Sequence, residues 1–162
     1  MTIMTKSIKS KMSLKTYKQK RKFAETPEPE GSVKNSKSNK LIFVVHNHFA
    51  NHHHYDLRLQ INNVLRSWVV PKEPPIEKNV KRLAVQVEDH PLAYAKFKGI
   101  IPEGNYGAGK VEIWDRGTYK LIEKNPTKIL FEFNGRKLKG KYVLVKTSYG
   151  SKPGKSWLWF KV

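Results

Sequence analysis

The stretch His54-Tyr55-Asp56-Leu57-Arg58-Leu59-Gln60-Ile61 alternates without a break. Strand side chains point to opposite faces with a period of two. Tyr55, Leu57, Leu59 and Ile61 therefore share an apolar face, and His54, Asp56, Arg58 and Gln60 share the other. A solvated strand face ordinarily carries Lys, Thr, Glu or Ser. This one carries a metal-ligand type, a carboxylate and a phosphate-gripping cation, with His48 just upstream. That set suits metal-assisted chemistry on a phosphate ester.

Outward from this strand the chain keeps reading as β. Strands are expected at Leu41–His46, His53–Ile61, Val64–Val70, Arg82–Glu88, Lys110–Trp114, Thr118–Glu123, Ile129–Phe133, Lys141–Thr147 and Trp157–Val162. Turn chemistry separates them: Asn62-Asn63, Asp115-Arg116-Gly117 and Asn134-Gly135 each suit a hairpin. No helical period of useful length appears. Short strands joined by hairpins make a sandwich or a barrel, and closure removes unpaired edges. The expectation is all-β, a compact small barrel of about eight strands over residues 41–162.

Residues 1–40 form a basic tail. They hold eleven Lys/Arg and three Glu, +8 of the +19 formal charge. The tail is expected to be disordered as far as Lys15; the segment Gly31–Lys40 is polar, has no hydrophobic period and cannot offset its ordering entropy. Residues 17–30 carry Phe23 and a Thr26-Pro27-Glu28-Pro29 turn, which could dock on the barrel. A 162-residue chain this basic points to nucleic acid or an anionic surface as partner. No apolar run is long enough to span a bilayer and no secretory leader is visible. The absence of cysteine excludes disulfides and thiolate chemistry. A cytoplasmic monomer is the expectation.

His54 and Asp56 have Cβ atoms about 7 Å apart on ordinary strand geometry. That spacing lets both converge on one cation, with His48 arriving from the preceding strand end or the loop. Two imidazoles and a carboxylate leave open coordination positions and favour Mn²⁺, Zn²⁺ or Fe²⁺ over Ca²⁺ or Mg²⁺. His53 falls on the apolar side by parity and is set aside with His52. A second strand, Lys81–His90, places Leu83, Val85 and Val87 on an expected core face and Arg82, Gln86, Glu88 and His90 on the other. Pro91 ends that ladder. The Gly-rich run Ile101–Gly109 lets a backbone approach a substrate or simply turns. Trp157, Trp159 and Phe160 read as core packing.

These residues, in order, resemble a known family. Phe43-Val44-Val45, His48, His54–Leu59, Ser67–Lys72, Lys81–Leu92, Ile101–Gly107 and Trp114–Gly117 are similar to the 3′-phosphoesterase domain of bacterial and archaeal DNA ligase D. The resemblance implies a hydrolase: a Mn²⁺-dependent 3′-phosphomonoesterase and 3′-phosphodiesterase, with Co²⁺ or Zn²⁺ as other candidate metals. Its substrates would be 3′ ends of DNA or DNA/RNA primer-templates, healed to a 3′-OH for non-homologous end joining. By the same resemblance His48, His54 and Asp56 would hold the metal. Arg58, His90 and Tyr94 would contact the scissile phosphate. Arg82, Glu88, Arg21 and Glu28 would support them. Two positions depart from the family pattern: Lys22 where Asp is common, and His46 where Gln is common. Lys22 is expected to disfavour removal of a 3′-ribonucleoside relative to a 3′-phosphate. Any partner ligase would be separately encoded. The competing readings are a non-catalytic nucleic-acid-binding barrel and a non-haem-iron oxygenase.

Overall fold

The computed structural model describes residues 14–31, 40–150 and 152–162. The segment expected to be disordered, up to Lys15, lies almost wholly outside the described residues. Nine strands follow a short helix: α1 (Lys15–Gln19), β1 (Leu41–Phe49), β2 (His54–Ile61), β3 (Val64–Val70), β4 (Lys81–His90), β5 (Gly99–Ile101), β6 (Gly109–Asn125), β7 (Lys128–Asn134), β8 (Lys139–Lys146) and β9 (Ser156–Lys161). A 3₁₀ turn, Leu92–Lys96, separates β4 from β5. The strands run β1-β2-β3-β4-β9-β8-β7-β6, and β6 pairs back onto β1. Eight antiparallel strands thus close into the expected barrel, and β5 is appended to β6. No helix among the described residues is long and apolar enough to cross a membrane.

The alternation of β2 decides the interior. Leu57, Leu59 and Ile61 join Phe43, Trp68 and Trp159 in the barrel core. An aromatic side chain buries about 150–250 Å², a gross gain of roughly 4–6 kcal/mol at ~25 cal/mol per Å². Asn62 and Asn63 turn β2 into β3 with φ of 54° and 65°, the left-handed pair that a two-residue hairpin requires.

Three expectations are corrected. The hairpin at Asp115-Arg116-Gly117 does not form; both flanking stretches belong to the single strand β6. β1 pairs with β6 from Lys110 to Tyr119 and keeps it extended through this stretch, with one register shift at Trp114, beside Asp115. Asp115 clamps instead of turning: its carboxylate accepts the N–H groups of Arg116, Arg136, Lys137 and Leu138. Gly117 serves close approach, since a Cβ there would lie 2.3 Å from the Asn134 carbonyl oxygen.

The expected faces of β4 are also reversed. Val85 and Val87 pair with Val69 and Ser67, on the face that carries Arg58. Ala84 enters the barrel core, and Gln86 accepts the indole N–H of Trp157. A bulge between the Val87 and His90 pairings restores His90 to the Arg58 side. Strand parity was read through a position where an extra residue breaks it.

The helix and β5 went unread. α1 is five residues long, too short to show a period. It persists because Tyr17 is fully buried in a second cluster with Val44, Leu65, Tyr94 and Phe97, outside the barrel.

Candidate active site and metal centre

β1 extends to Phe49, so His48 sits on a strand and not in a loop, directly opposite His54. Their rings lie 4.7 Å apart. Asp56, two residues on, faces both. Its Oδ2 is 3.5 Å from His48 Nδ1, and its Oδ1 is 3.4 Å from His54 Nε2. The three ligand atoms lie within 4.8 Å of one another. The second nitrogen of each imidazole is occupied by a backbone carbonyl: His48 Nε2–H donates to Gly107 at 2.6 Å, and His54 Nδ1–H to His52 at 2.8 Å. Carbonyls only accept, so each ring donates to its carbonyl and turns its other nitrogen to Asp56, where a cation would be bound. Oriented imidazoles of this kind are how proteins prepare metal ligands. Burial disfavours the Asp56 charge, but Arg58 and the two histidines outweigh it and hold its carboxyl well below the usual range. The residues therefore fit a divalent cation.

Arg58 continues the same face and is buried. Its Nε donates to His46 Nδ1 at 3.1 Å, and NH1 donates to Ser67 Oγ at 2.9 Å. NH2 makes a longer contact, 3.5 Å, to Asp56. The guanidinium lies over the Tyr94 ring, 4.8 Å from its centroid. His46 completes the support. Its Nε2–H donates to the Phe97 carbonyl at 2.9 Å. Burial, then the Arg58 charge, pushes its pKa down to about 3, so the ring is neutral.

His90 packs between two arginines. Its Nδ1 lies 3.0 Å from the Glu88 carbonyl and 3.1 Å from Arg58 NH1, and Arg21 NH2 approaches Nε2 at 3.3 Å. Burial, Arg58 and Arg21 hold its pKa well below the ordinary histidine value.

The N-terminal segment supplies the last wall. Arg21 Nε donates to Glu28 at 2.8 Å, and Tyr94 Oη–H donates to the same carboxylate oxygen at 2.6 Å. Thr26 Oγ1–H donates to the other Glu28 oxygen. The Tyr17 hydroxyl donates to the Pro29 carbonyl, closing the loop. Glu88 accepts Lys20 Nζ at 3.0 Å and lies 3.5 Å from Arg21 NH1. Burial opposes the Glu88 charge, but a backbone N–H, Lys20 and Arg21 hold its pKa below the usual carboxylate value.

One cavity of about 240 Å³ unites Arg21, His48, His54, Asp56, Arg58 and His90. Glu88 and Tyr94 also line it; Glu28 stands behind Arg21 and Tyr94. The Tyr94 ring borders the cavity while its hydroxyl is committed to Glu28. Arg82 is not brought to the cavity. It lies five residues before Val87, the last pairing ahead of the β4 bulge, and donates from Nε to the Glu73 carbonyl at 2.7 Å. Lys22 is also away from it: its side chain is 77% exposed, 4.0 Å from Glu25. Lys22 does not line the cavity, though its neighbour Arg21 does. Sequence reasoning missed Ser67, Tyr106 and Lys20. Ser67 had a signal, a small polar residue opposite Arg58 in register.

A closed antiparallel barrel that gathers a His-His-Asp cluster and two arginines in one cavity is an arrangement suited to a divalent cation and a phosphate ester. Comparison with known proteins agrees. Residues 46–146 match the DNA Ligase D 3′-phosphoesterase domain family. The chain belongs to that family. It is 44% identical over 160 residues to the multifunctional non-homologous end joining protein LigD of Pseudomonas aeruginosa, covering 94% of this chain and 19% of that protein. It is 40% identical over 149 residues to the multifunctional non-homologous end joining DNA repair protein LigD of Mycobacterium tuberculosis, covering 90% of this chain and 19% of that protein. The chain thus spans about a fifth of the length of the curated relatives it matches.

Proposed function

We propose that this protein heals 3′ ends of DNA for end joining, hydrolysing a 3′-phosphate to a 3′-OH and releasing a 3′-terminal ribonucleoside where one is present. The supporting observation is the convergence of His48, His54 and Asp56 with Arg58 and His90 in one small cavity. His48, His54 and Asp56 are the residues that would hold the cation, with Mn²⁺ the favoured metal. A divalent cation there supplies positive charge to the reacting phosphate and acidifies water.

The chain's own residues do the rest. Arg58 NH2 and Arg21 NH2 make only long contacts, 3.5 and 3.3 Å, so both can turn to phosphate oxygens. Their position is held from behind by His46, Ser67 and Glu28. Donors already aimed at the site lose little on reaction, which is how preorganised charge lowers a barrier. His90 is neutral between two arginines; an entering dianion reverses that balance and raises its pKa. His90 can then hold a proton and pass it to O3′ as the P–O3′ bond breaks. Water forms the new P–O bond, leaving inorganic phosphate and a 3′-OH. A ligase that seals 3′-OH ends is the partner class that consumes this product.

The test is a labelled strand ending in 3′-phosphate, and a second ending in one ribonucleotide, incubated with and without Mn²⁺. Conversion of the first to 3′-OH by wild type, lost in His54→Ala with an unchanged melt, is the expected result. A strand retarded on a gel but never processed with any divalent metal would leave only the binding-barrel reading.

A further inference from the structure

The site face does not end at the cavity. Val69 and Val87 line it, and Val85 pairs with Val69, so Leu83 lies two residues farther along the same face of β4. There a second groove opens, lined by Pro71, Lys72, Lys81, Arg82, Leu83 and Tyr149. Val87 to Leu83 is about 13 Å at the ~3.3 Å rise of a strand. That is the reach of a few nucleotides along a bound strand.

Three cations in this groove sit beside the most exposed large ring of the described residues. Tyr149 is 72% exposed. It is placed there by its neighbour Gly150, whose φ of +102° carries the loop close to Leu83; a Cβ at Gly150 would lie 3.5 Å from that side chain. Lys81 Nζ lies over the Phe160 ring, 5.1 Å from its centroid. Arg82 uses only Nε, on the Glu73 carbonyl, among its described hydrogen bonds, which leaves its terminal nitrogens for an anion. A cationic groove with an aromatic platform is how single-stranded nucleic acid is held: cations track phosphates and the ring stacks a base. Trp157 and Trp159, buried in the core, cannot do this.

We infer that the groove between Pro71 and Tyr149 binds the nucleotides just upstream of the processed 3′ end, with Lys72, Lys81 and Arg82 on phosphates and Tyr149 stacked on one base. The inference rests on the reading of the cavity as a 3′-end site. It also gives Arg82 a role at a distance from the chemistry.

Binding to a fluorescein-labelled single strand ending in 3′-OH, measured by anisotropy with Mn²⁺ present, tests it without turnover. A stack is worth ~1–3 kcal/mol, so Tyr149→Ala should raise Kd about 5- to 150-fold. Tyr149→Phe should bind like wild type. Lys81→Glu should weaken binding and flatten its salt dependence. An abasic nucleotide walked back from the 3′ end should abolish the Tyr149→Ala effect at one position within the first few nucleotides. The inference is overturned if Tyr149→Ala binds like wild type, if Tyr149→Phe loses as much as Tyr149→Ala, or if no abasic position removes the difference. Normal hydrolysis of a 3′-phosphate with wild-type affinity in Tyr149→Ala and Lys81→Glu removes the groove alone. Weakened binding in those variants, with no hydrolysis by wild type, removes the catalytic reading and keeps the groove.

Discussion

Arg58 donates its Nε–H to Nδ1 of His46 at 3.1 Å, and His46 passes its own Nε2–H to the Phe97 carbonyl. A neutral imidazole here offers one acceptor and one donor, the pair that a glutamine amide also offers. His46→Gln should therefore keep kcat/KM on a 3′-phosphate strand within a few-fold. His46→Leu should lower it about 5- to 150-fold, since an unpaired buried donor costs ~1–3 kcal/mol. Equal activity in His46→Leu would show that Arg58 needs no partner at Nε.

Lys22 was expected to bias the reaction against ribonucleoside removal. Its side chain points to solvent beside Glu25. Lys22→Asp should leave the ratio of kcat/KM for 3′-ribonucleotide and 3′-phosphate ends unchanged within two-fold, a surface substitution being worth about ±0.5 kcal/mol. A shift beyond that would restore the earlier expectation.

Glu28 accepts from Arg21, Tyr94 and Thr26 with its side chain fully buried. Removing one partner of a buried pair costs about 3–5 kcal/mol because the other charge is stranded. Glu28→Ala should lower stability by about that much in urea denaturation and reduce turnover through Arg21. A change under about 1 kcal/mol would mean the N-terminal segment is not held by this carboxylate.

Glu88 links α1 to β4 through Lys20 and Arg21. Its pKa is lowered in the folded protein, so it releases protons more readily there than unfolded. The stability it contributes is full above the unfolded value of about 4.3 and is lost as pH falls through the lowered folded value. The Tm gap between wild type and Glu88→Gln should be constant near neutrality and close below about pH 4. A gap that widens on acidification reverses the sign and refutes the assignment.

Asp115 holds four backbone N–H groups from β6 and the β7–β8 turn and does not line the cavity. Asp115→Ala strands those donors and should cost about 3 kcal/mol or more. Mn²⁺ affinity at the site, measured by calorimetry well below the melt, should be unchanged.

The barrel and the metal cluster were legible because both depend on local alternation. His54-Tyr55-Asp56-Leu57-Arg58 assigns every side chain to a face, and one apolar face facing inward makes a closed sheet the stable answer. What only tertiary structure decided depends on pairing between distant segments. The bulge in β4 is invisible in Lys81–His90 because it exists relative to β3, and it sent Arg82 out of the cavity and returned His90 to it. Asp115-Arg116-Gly117 has turn composition, but β1 runs alongside and keeps β6 extended. The N-terminal segment carries Arg21 and Glu28 into the cavity wall because Tyr17 and Tyr94 bury together, a contact between residues far apart in the chain. Short-range period records which face a residue takes; it holds no information about which strand lies opposite, and the site's positions were settled there.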